Sequence, residues 1–303
     1  MVRLALAAVI PTAAALFAAV LSTGAAAQDD SPTPPVSGPP AAGPPAHYSL
    51  FDPTPADKLR SLCTDRPTKS TGPCTVDPGH FQIESDIFNA TFDRTGGVDT
   101  NTYLFTNPTL KLGLTRTLDV EANLAPAITV TTRDRATGAR TRVTGIGDVF
   151  LRAKVNLAGD DGGAVAMALV PYVKIPTARA GIGDGAVEEG VLAPISVSLP
   201  DKWSLSLTPE FDWLLDQSGA GRHANLINLI GLSHPVGAFT PAVELWTDTN
   251  FDPAGHVTQY SFDLGLSWIP PKAPNFQLDG GVNLGLNKVT AATQVYIGAS
   301  RRV

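Results

Sequence analysis

The stretch 203–216 reads WSLSLTPEFDWLLD, and its alternation decides the fold. In steps of two, Trp203, Leu205, Leu207, Pro209, Phe211, Trp213 and Leu215 make a nearly all-apolar face. Ser204, Ser206, Thr208, Glu210, Asp212, Leu214 and Asp216 make the other. A period of two marks a strand with one greasy and one wet side. The two tryptophans share the apolar face, ten residues apart. At about 3.3 Å per residue and a tilt near ~40°, they sit roughly 25 Å apart along a membrane normal. The apolar band of an outer-membrane barrel has about that height, with aromatic residues at each water boundary. Strands of soluble sandwiches alternate too, but they are usually shorter and have no reason to hold tryptophans at that separation. The stretch reads as a membrane strand.

Similar alternation spans the chain from His80 onward. About twelve runs can be drawn, near 80–91, 102–114, 118–131, 148–157, 164–175, 187–199, 203–216, 223–233, 238–248, 259–269, 276–284 and 292–302. The run at 225–232 is the least clear, because both of its faces are mixed. Connections at 115–117, 159–163, 200–202, 235–237 and 270–275 are short. Most of those between them, 92–101, 132–147, 176–186 and 250–258, are longer and rich in Gly or charge. Short periplasmic turns alternating with longer outer loops belong to a barrel, and an even strand count puts both termini in the periplasm. A Greek-key sandwich has no reason to keep that parity. The expected fold is therefore all-β: a transmembrane antiparallel β-barrel of about twelve strands over residues 80–303.

Ahead of the barrel, Arg3, the apolar stretch 4–21 and Ala25-Ala26-Ala27 give the pattern of a secretory signal peptide over 1–27, cut after Ala27. A retained membrane helix is the rival, but the apolar stretch is marginal in length and Pro11 interrupts it. No lipid anchor is expected, since no cysteine follows the cut. Mean hydropathy is +0.07 over 303 residues, and past the signal no segment is long and apolar enough for a membrane helix. A barrel hides its hydrophobicity by alternation, so a near-neutral average fits. The net charge of −6 argues against a nucleic-acid partner.

Residues 28–79 read as a Pro-rich periplasmic lead-in. The stretch 31–45 is rich in Pro, Ala and Gly and favours an extended linker. Cys63 and Cys74, the only cysteines, flank a loop holding Pro67, Gly72 and Pro73. In an exported chain such a pair suggests a disulfide. A zinc or redox site is the alternative, but there is no C-x-x-C spacing and only His80 lies near. The disulfide would pin a plug-like or periplasmic segment ahead of the first strand.

Asp65-Arg66-Pro67 and the run 75–84, TVDPGHFQIE, resemble the opening of a bacterial outer-membrane β-barrel family. That family is labelled as a transporter of the meta-pathway of phenol degradation. Gly145-Ile146-Gly147-Asp148-Val149, Lys174-Ile175-Pro176-Thr177-Ala178 and Gly185-Ala186-Val187-Glu188-Glu189-Gly190 are similar to its middle, in the same order. The resemblance covers about 60–303. Its motifs mark turns and strand starts rather than a reaction. It implies an outer-membrane location and transport, with hydrophobic or aromatic solutes as the favoured class. Such barrels usually end in an aromatic residue, whereas this sequence ends Arg301-Arg302-Val303. Recognition by the outer-membrane assembly machinery, an expected partner beside membrane lipid and a small-molecule solute, is therefore expected to be weaker or different.

Assigned by alternation, the inward face carries Glu84, Asp86, Asp119, Glu121, Glu189, Glu210, Asp212, Glu244, Asp263 and Asp279. Lys111, Arg152, Lys154 and Lys174 join them, with Asn123, Asn156 and Asn283. One reading is a lumen filled with ion pairs, because charges in a narrow interior need partners. The other is an acidic pathway for cations or polar solutes. Catalysis is not expected. His223 near Ser218 and His234 after Ser233 lack any nucleophile-elbow context, and the glycine run 181–185 lacks the helix and Lys-Ser/Thr ending of a phosphate loop. Neither metal nor cofactor is expected. The leading reading is a porin-like channel or uptake port that works by passive diffusion, gated by outer loops or by 63–79. Its rivals are a closed structural or binding barrel with an ion-paired lumen, and an exported soluble β-sandwich that binds sugars.

Overall fold

The computed structural model describes residues 48–159 and 163–303. The expected signal peptide and the Pro-rich stretch 31–45 lie outside them. Fifteen strands form one sheet. They are β1 (Phe81–Asp93), β2 (Val98–Thr115), β3 (Leu118–Leu124), β4 (Ile128–Asp134), β5 (Arg140–Gly145), β6 (Val149–Ala158), β7 (Val165–Ile175), β8 (Glu188–Leu192), β9 (Ile195–Ser198), β10 (Ser204–Leu215), β11 (Arg222–Ser233), β12 (Phe239–Asn250), β13 (Val257–Trp268), β14 (Phe276–Gly285) and β15 (Thr293–Arg302). Strands adjacent around the wall pair antiparallel, and β1 pairs with both β2 and β15, so the sheet closes on itself. Three staves are each made of two strands, β3 with β4, β5 with β6 and β8 with β9, so the wall has twelve staves. A closed wall leaves no sheet edge in lipid, as spanning a bilayer requires. A sandwich would have left edges, so the soluble alternative falls.

Two of the three breaks inside these staves have visible causes. Pro126 and Pro194 sit between their half-strands, where a residue without an N–H cannot continue the ladder. The segment 132–147, expected as one long outer loop, instead holds the end of β4, a tight turn and all of β5. Its alternation was masked by charge, since Arg133, Arg140 and Arg142 face water beyond the apolar band. The contrast in loop lengths is also weaker than the sequence suggested: strands run further, and only 176–187 remains a long connection. The mixed stretch at 225–232 is a full strand, paired with β10 and β12 along its length.

Burial is inverted relative to a soluble domain. Outside lie Leu110, Leu151, Phe211, Ile230, Leu245, Leu266 and Ile297, all exposed, while the buried set is mostly polar and charged. Trp203 and Trp213 are outward at opposite ends of β10, as their parity requires, and Tyr260 and Trp268 share the outward face of β13. An arginine placed in the lipid-facing wall near mid-depth costs about 2–4 kcal/mol. Ile230→Arg should therefore lose about that much folding stability in lipid. Ile227→Arg, three residues away on the inner face and paired between Glu210 and Asp248, should lose far less. Urea unfolding in vesicles, read by heat-modifiable gel mobility, checks both; equal losses would contradict the assigned faces.

Candidate functional site: a disulfide-closed stopper in a charged lumen

The lead-in does not stay outside the barrel. Residues 49–54 tie to the end of β2 and to the chain before β1, through Leu50 N–H to Leu114 O and Thr54 N–H to Pro78 O. The chain then rises into the lumen and returns to β1 by way of Asp77. Asp77 is clamped by Arg302 at 2.6 Å and Arg60 at 2.8 Å, and Arg302 also donates to Arg60 O at 2.7 Å. At the top of this excursion Cys63 and Cys74 form a disulfide across a Cα–Cα distance of 6.5 Å. Of the two placements expected for this segment, plug-like or periplasmic, residues 60–77 take the plug-like one. The sequence reason is plain in hindsight: the loop is short, polar and bears Asp65, Arg66 and Lys69, which suit a charged interior better than open water requires.

Three side chains of the loop plug into three sets of wall groups. Asp65 accepts from Lys111 and, at 2.8 Å, from Lys154, while its other oxygen takes Gly72 N–H at 2.7 Å and so tightens the loop. Burial works against its charge, but the two ammonium groups win and hold the carboxyl well below the usual carboxylate range. Arg66 spans Asp86 and Asp279, each at 2.7 Å, and lies near the face of Tyr296. Lys69 reaches Asp263 at 3.0 Å and Ser261 at 2.7 Å, with its ammonium 4.1 Å from the Trp246 ring centre. These charge-assisted bonds are the strong class.

Backbone groups of the loop are satisfied by the wall as well. Glu244 accepts Lys69 N–H and Ser70 N–H, each at 3.1 Å, and Asp119 accepts Val76 N–H at 2.8 Å. Asn156 donates to Pro73 O at 2.9 Å and Gln82 to Cys63 O at 2.7 Å. Thr208, with no exposed surface, meets Thr71 O at 3.3 Å. Two wall glycines leave the space the loop occupies. A Cβ on Gly265 would come within 2.8 Å of Pro67, and one on Gly298 would overlap the Arg66 guanidinium.

The inward candidates divide into two groups. Glu84, Asp86, Lys111, Asp119, Glu121, Lys154, Glu244, Asp263 and Asp279 are buried at or beside the stopper. Lys111 also meets Glu84 at 2.7 Å, and Lys154 meets Glu121 at 3.3 Å. The remainder sit nearer the extracellular end. Asp212 accepts from Tyr172 at 2.7 Å and Asn225 at 3.2 Å, with Glu210 beside it on β10. Arg152 stretches to Glu121 at 3.9 Å and over Phe150. Lys174 is taken by Asp184 and Glu188, both at 2.6 Å. Glu189 is corrected: it is exposed, and Glu188 faces the lumen opposite Lys174, because β8 starts one residue out of the assumed register.

Asn156 and Asn283 are buried inward, and Asn123 bonds to Asn107 and Thr109. At the extracellular rim His223 Nδ1 lies 2.9 Å from Asp216 and 3.6 Å from Asp252, tying two loops; Asp252 is held below its ordinary value by N–H groups of Ala254 and Gln217. His234 bonds Asp201 O, and neither histidine bonds a serine hydroxyl among the described residues.

Alternation could not find the groups on the stopper itself. Asp65, Arg66, Lys69 and Asp77 have no strand parity to betray them, and Trp246 and Tyr296 were hidden as ordinary strand aromatics. One usable signal was the surplus of inward acids over inward bases: the missing cations had to come from outside the wall. The disulfide should be present in the isolated protein, with Cys63 and Cys74 unreactive to thiol reagents until a reductant is added. Reduction should then weaken docking of the loop by up to about 3 kcal/mol while the wall stays folded. Free thiols in freshly isolated protein would count against it.

A model of the family described as "Putative MetA-pathway of phenol degradation" matches residues 64–303. No curated protein matches the sequence. Among solved structures, an outer membrane channel from Pseudomonas putida F1 superposes with a TM-score of 0.59 at 14% identity, covering 75% of this chain and 100% of that one. The transport unit of the autotransporter AIDA-I from Escherichia coli gives 0.47 at 12% identity, covering 74% and 90%. The translocator domain of NalP from Neisseria meningitidis gives 0.46 at 14%, covering 74% and 88%. The fold is that of an outer-membrane β-barrel.

Proposed function

We propose, for a chain that belongs to the family described as "Putative MetA-pathway of phenol degradation", a stoppered outer-membrane channel that admits small molecules by passive diffusion. The observation that carries this reading is the nature of the filling. The lumen is closed by one disulfide-bound loop, held by ion pairs and hydrogen bonds, rather than by a continuous apolar core. The charged and polar wall groups can take water or solute as partners once the loop moves, whereas an apolar core laid open to water cannot. The family description supports small aromatic solutes, and the charged lumen favours those bearing a polar group such as a phenolic hydroxyl. Tyr172, Asn225 and Asp212 at the outer end offer such a group hydrogen-bond partners.

Liposome swelling tests the reading. Vesicles carrying the barrel should admit phenol-sized polar aromatics faster than empty vesicles, and should exclude solutes of disaccharide size. Rates equal to those of empty vesicles, both before and after reduction of the disulfide, would favour instead a closed barrel whose loops bind a partner.

A further inference from the structure

The β4–β5 hairpin and its neighbours carry a group of guanidinium ions that the channel reading does not use. Arg133 and Arg140 stand directly opposite each other across the hairpin, and Arg142, paired with Thr131, is the next residue on the same face. Like charges in directly opposed positions destabilise a strand pair. The one carboxylate lining the cleft beside them, Asp99, stands opposite Arg133 across the β2–β4 ladder and attracts it, but its ion pairs are with Arg135 at 2.7 Å and Arg94 at 3.8 Å. Among the described residues, Arg133, Arg140 and Arg142 make no ion pair.

These arginines border a cleft of about 620 Å³. It continues into a second groove of about 390 Å³, bounded by Phe88, Tyr103 and Phe105, with Thr131 and Arg142 common to both. The rings touch, with Phe88 centred 5.5 Å from Phe105 and 6.4 Å from Tyr103. Pairing fixes which side this is. Phe88 is opposite Ile297, which is exposed on the lipid-facing wall, and Phe105 is opposite Phe88. The aromatic groove therefore belongs to the outer surface of the barrel, with the arginines beyond it at the end away from the termini.

We propose that this surface binds a phosphorylated, acylated lipid of the outer leaflet. Its phosphate lies among Arg133, Arg140 and Arg142, and one acyl chain runs along Phe88, Tyr103 and Phe105. A phosphate offers each guanidinium two acceptor oxygens and relieves the repulsion between Arg133 and Arg140. An aromatic groove open to the bilayer accepts a chain with no new cavity to form, and the charge and the groove meet at Arg142. A soluble anion would use the first feature and leave the second idle.

The test uses the full barrel in neutral detergent, with thermal unfolding read by heat-modifiable gel mobility. Diphosphorylated lipid A should raise the unfolding temperature, whereas the same lipid stripped of phosphate, and inorganic phosphate at equal concentration, should not. In the variant with Arg133→Gln, Arg140→Gln and Arg142→Gln, which lie on an exposed hairpin, the apparent affinity should fall about tenfold or more. Phe105→Ala should weaken lipid binding too. Equal stabilisation by the dephosphorylated lipid or by inorganic phosphate overturns the proposal, as does undiminished binding by the triple variant.

Discussion

Replacing residues 61–75 with a short Gly-Ser bridge should raise the single-channel conductance of the barrel about tenfold or more, and the current should be carried by cations. The wall should survive the change, because strand-to-strand hydrogen bonds close it without help from the loop. What the loop removes with it is a net positive charge, since Arg66 and Lys69 leave with Asp65. Without Arg66 and Lys69, the carboxylates of Asp86, Asp279 and Asp263 face open water, alongside Glu244, which loses two backbone donors. Near the outer end Glu210 and Asp212 already lie along the same path. Selectivity should therefore sharpen as salt is lowered and the screening length grows. Planar bilayer recordings of the unmodified and bridged proteins measure both effects. Unchanged conductance would show that the barrier lies elsewhere, in the loops above, and anion selectivity would contradict the charge assignment.

The wall was legible because lipid imposes a rule on every second residue. In β10 the period-two pattern located both tryptophans and placed Thr208 and Asp212 inside, and in β6 it separated Arg152 and Lys154 from Leu151 and Val155. The rule weakens where lipid stops acting. β5 lies beyond the apolar band, so its arginines gave no contrast between faces and its sequence passed for a loop. Glu188 and Glu189 sit at a strand start, where one residue of register decides between lumen and lipid. The stopper obeys no period at all. Its position follows from charge matching between Asp65, Arg66 and Lys69 and ion-pair partners on five strands, and such matching is set by closure of the barrel rather than by local sequence. The two readings of the lumen, ion-paired and open, were thus never exclusive. Some pairs lie within the wall, as Lys111 with Glu84, and others run between wall and loop, as Arg66 with Asp279.

The most sensitive point of that match is Asp65. Its carboxylate hydrogen-bonds both Lys111 and Lys154, whose side chains are only 3% and 1% exposed and which otherwise share only Glu121, at 3.7 and 3.3 Å. Asp65→Asn keeps the shape but removes the charge, leaving two buried ammonium groups to share Glu84 at 2.7 Å and Glu121 at 3.3 Å. Breaking a buried ionic set by deleting one partner costs about 3–5 kcal/mol, and the residual acids put this case near the low end. The loss falls on docking of the loop, since β2 and β6 keep their backbone ladders. Trypsin reports it: Arg60 and Lys69 should become cleavable in Asp65→Asn at urea concentrations that leave the unmodified protein intact. Asp99→Asn is the comparison. It removes an equally short ion pair, 2.7 Å from Arg135, but at the exposed rim, where such pairs contribute about 0–1 kcal/mol. If the two substitutions left the loop equally protected, the ion pairs around Asp65 would not be what holds the stopper in place.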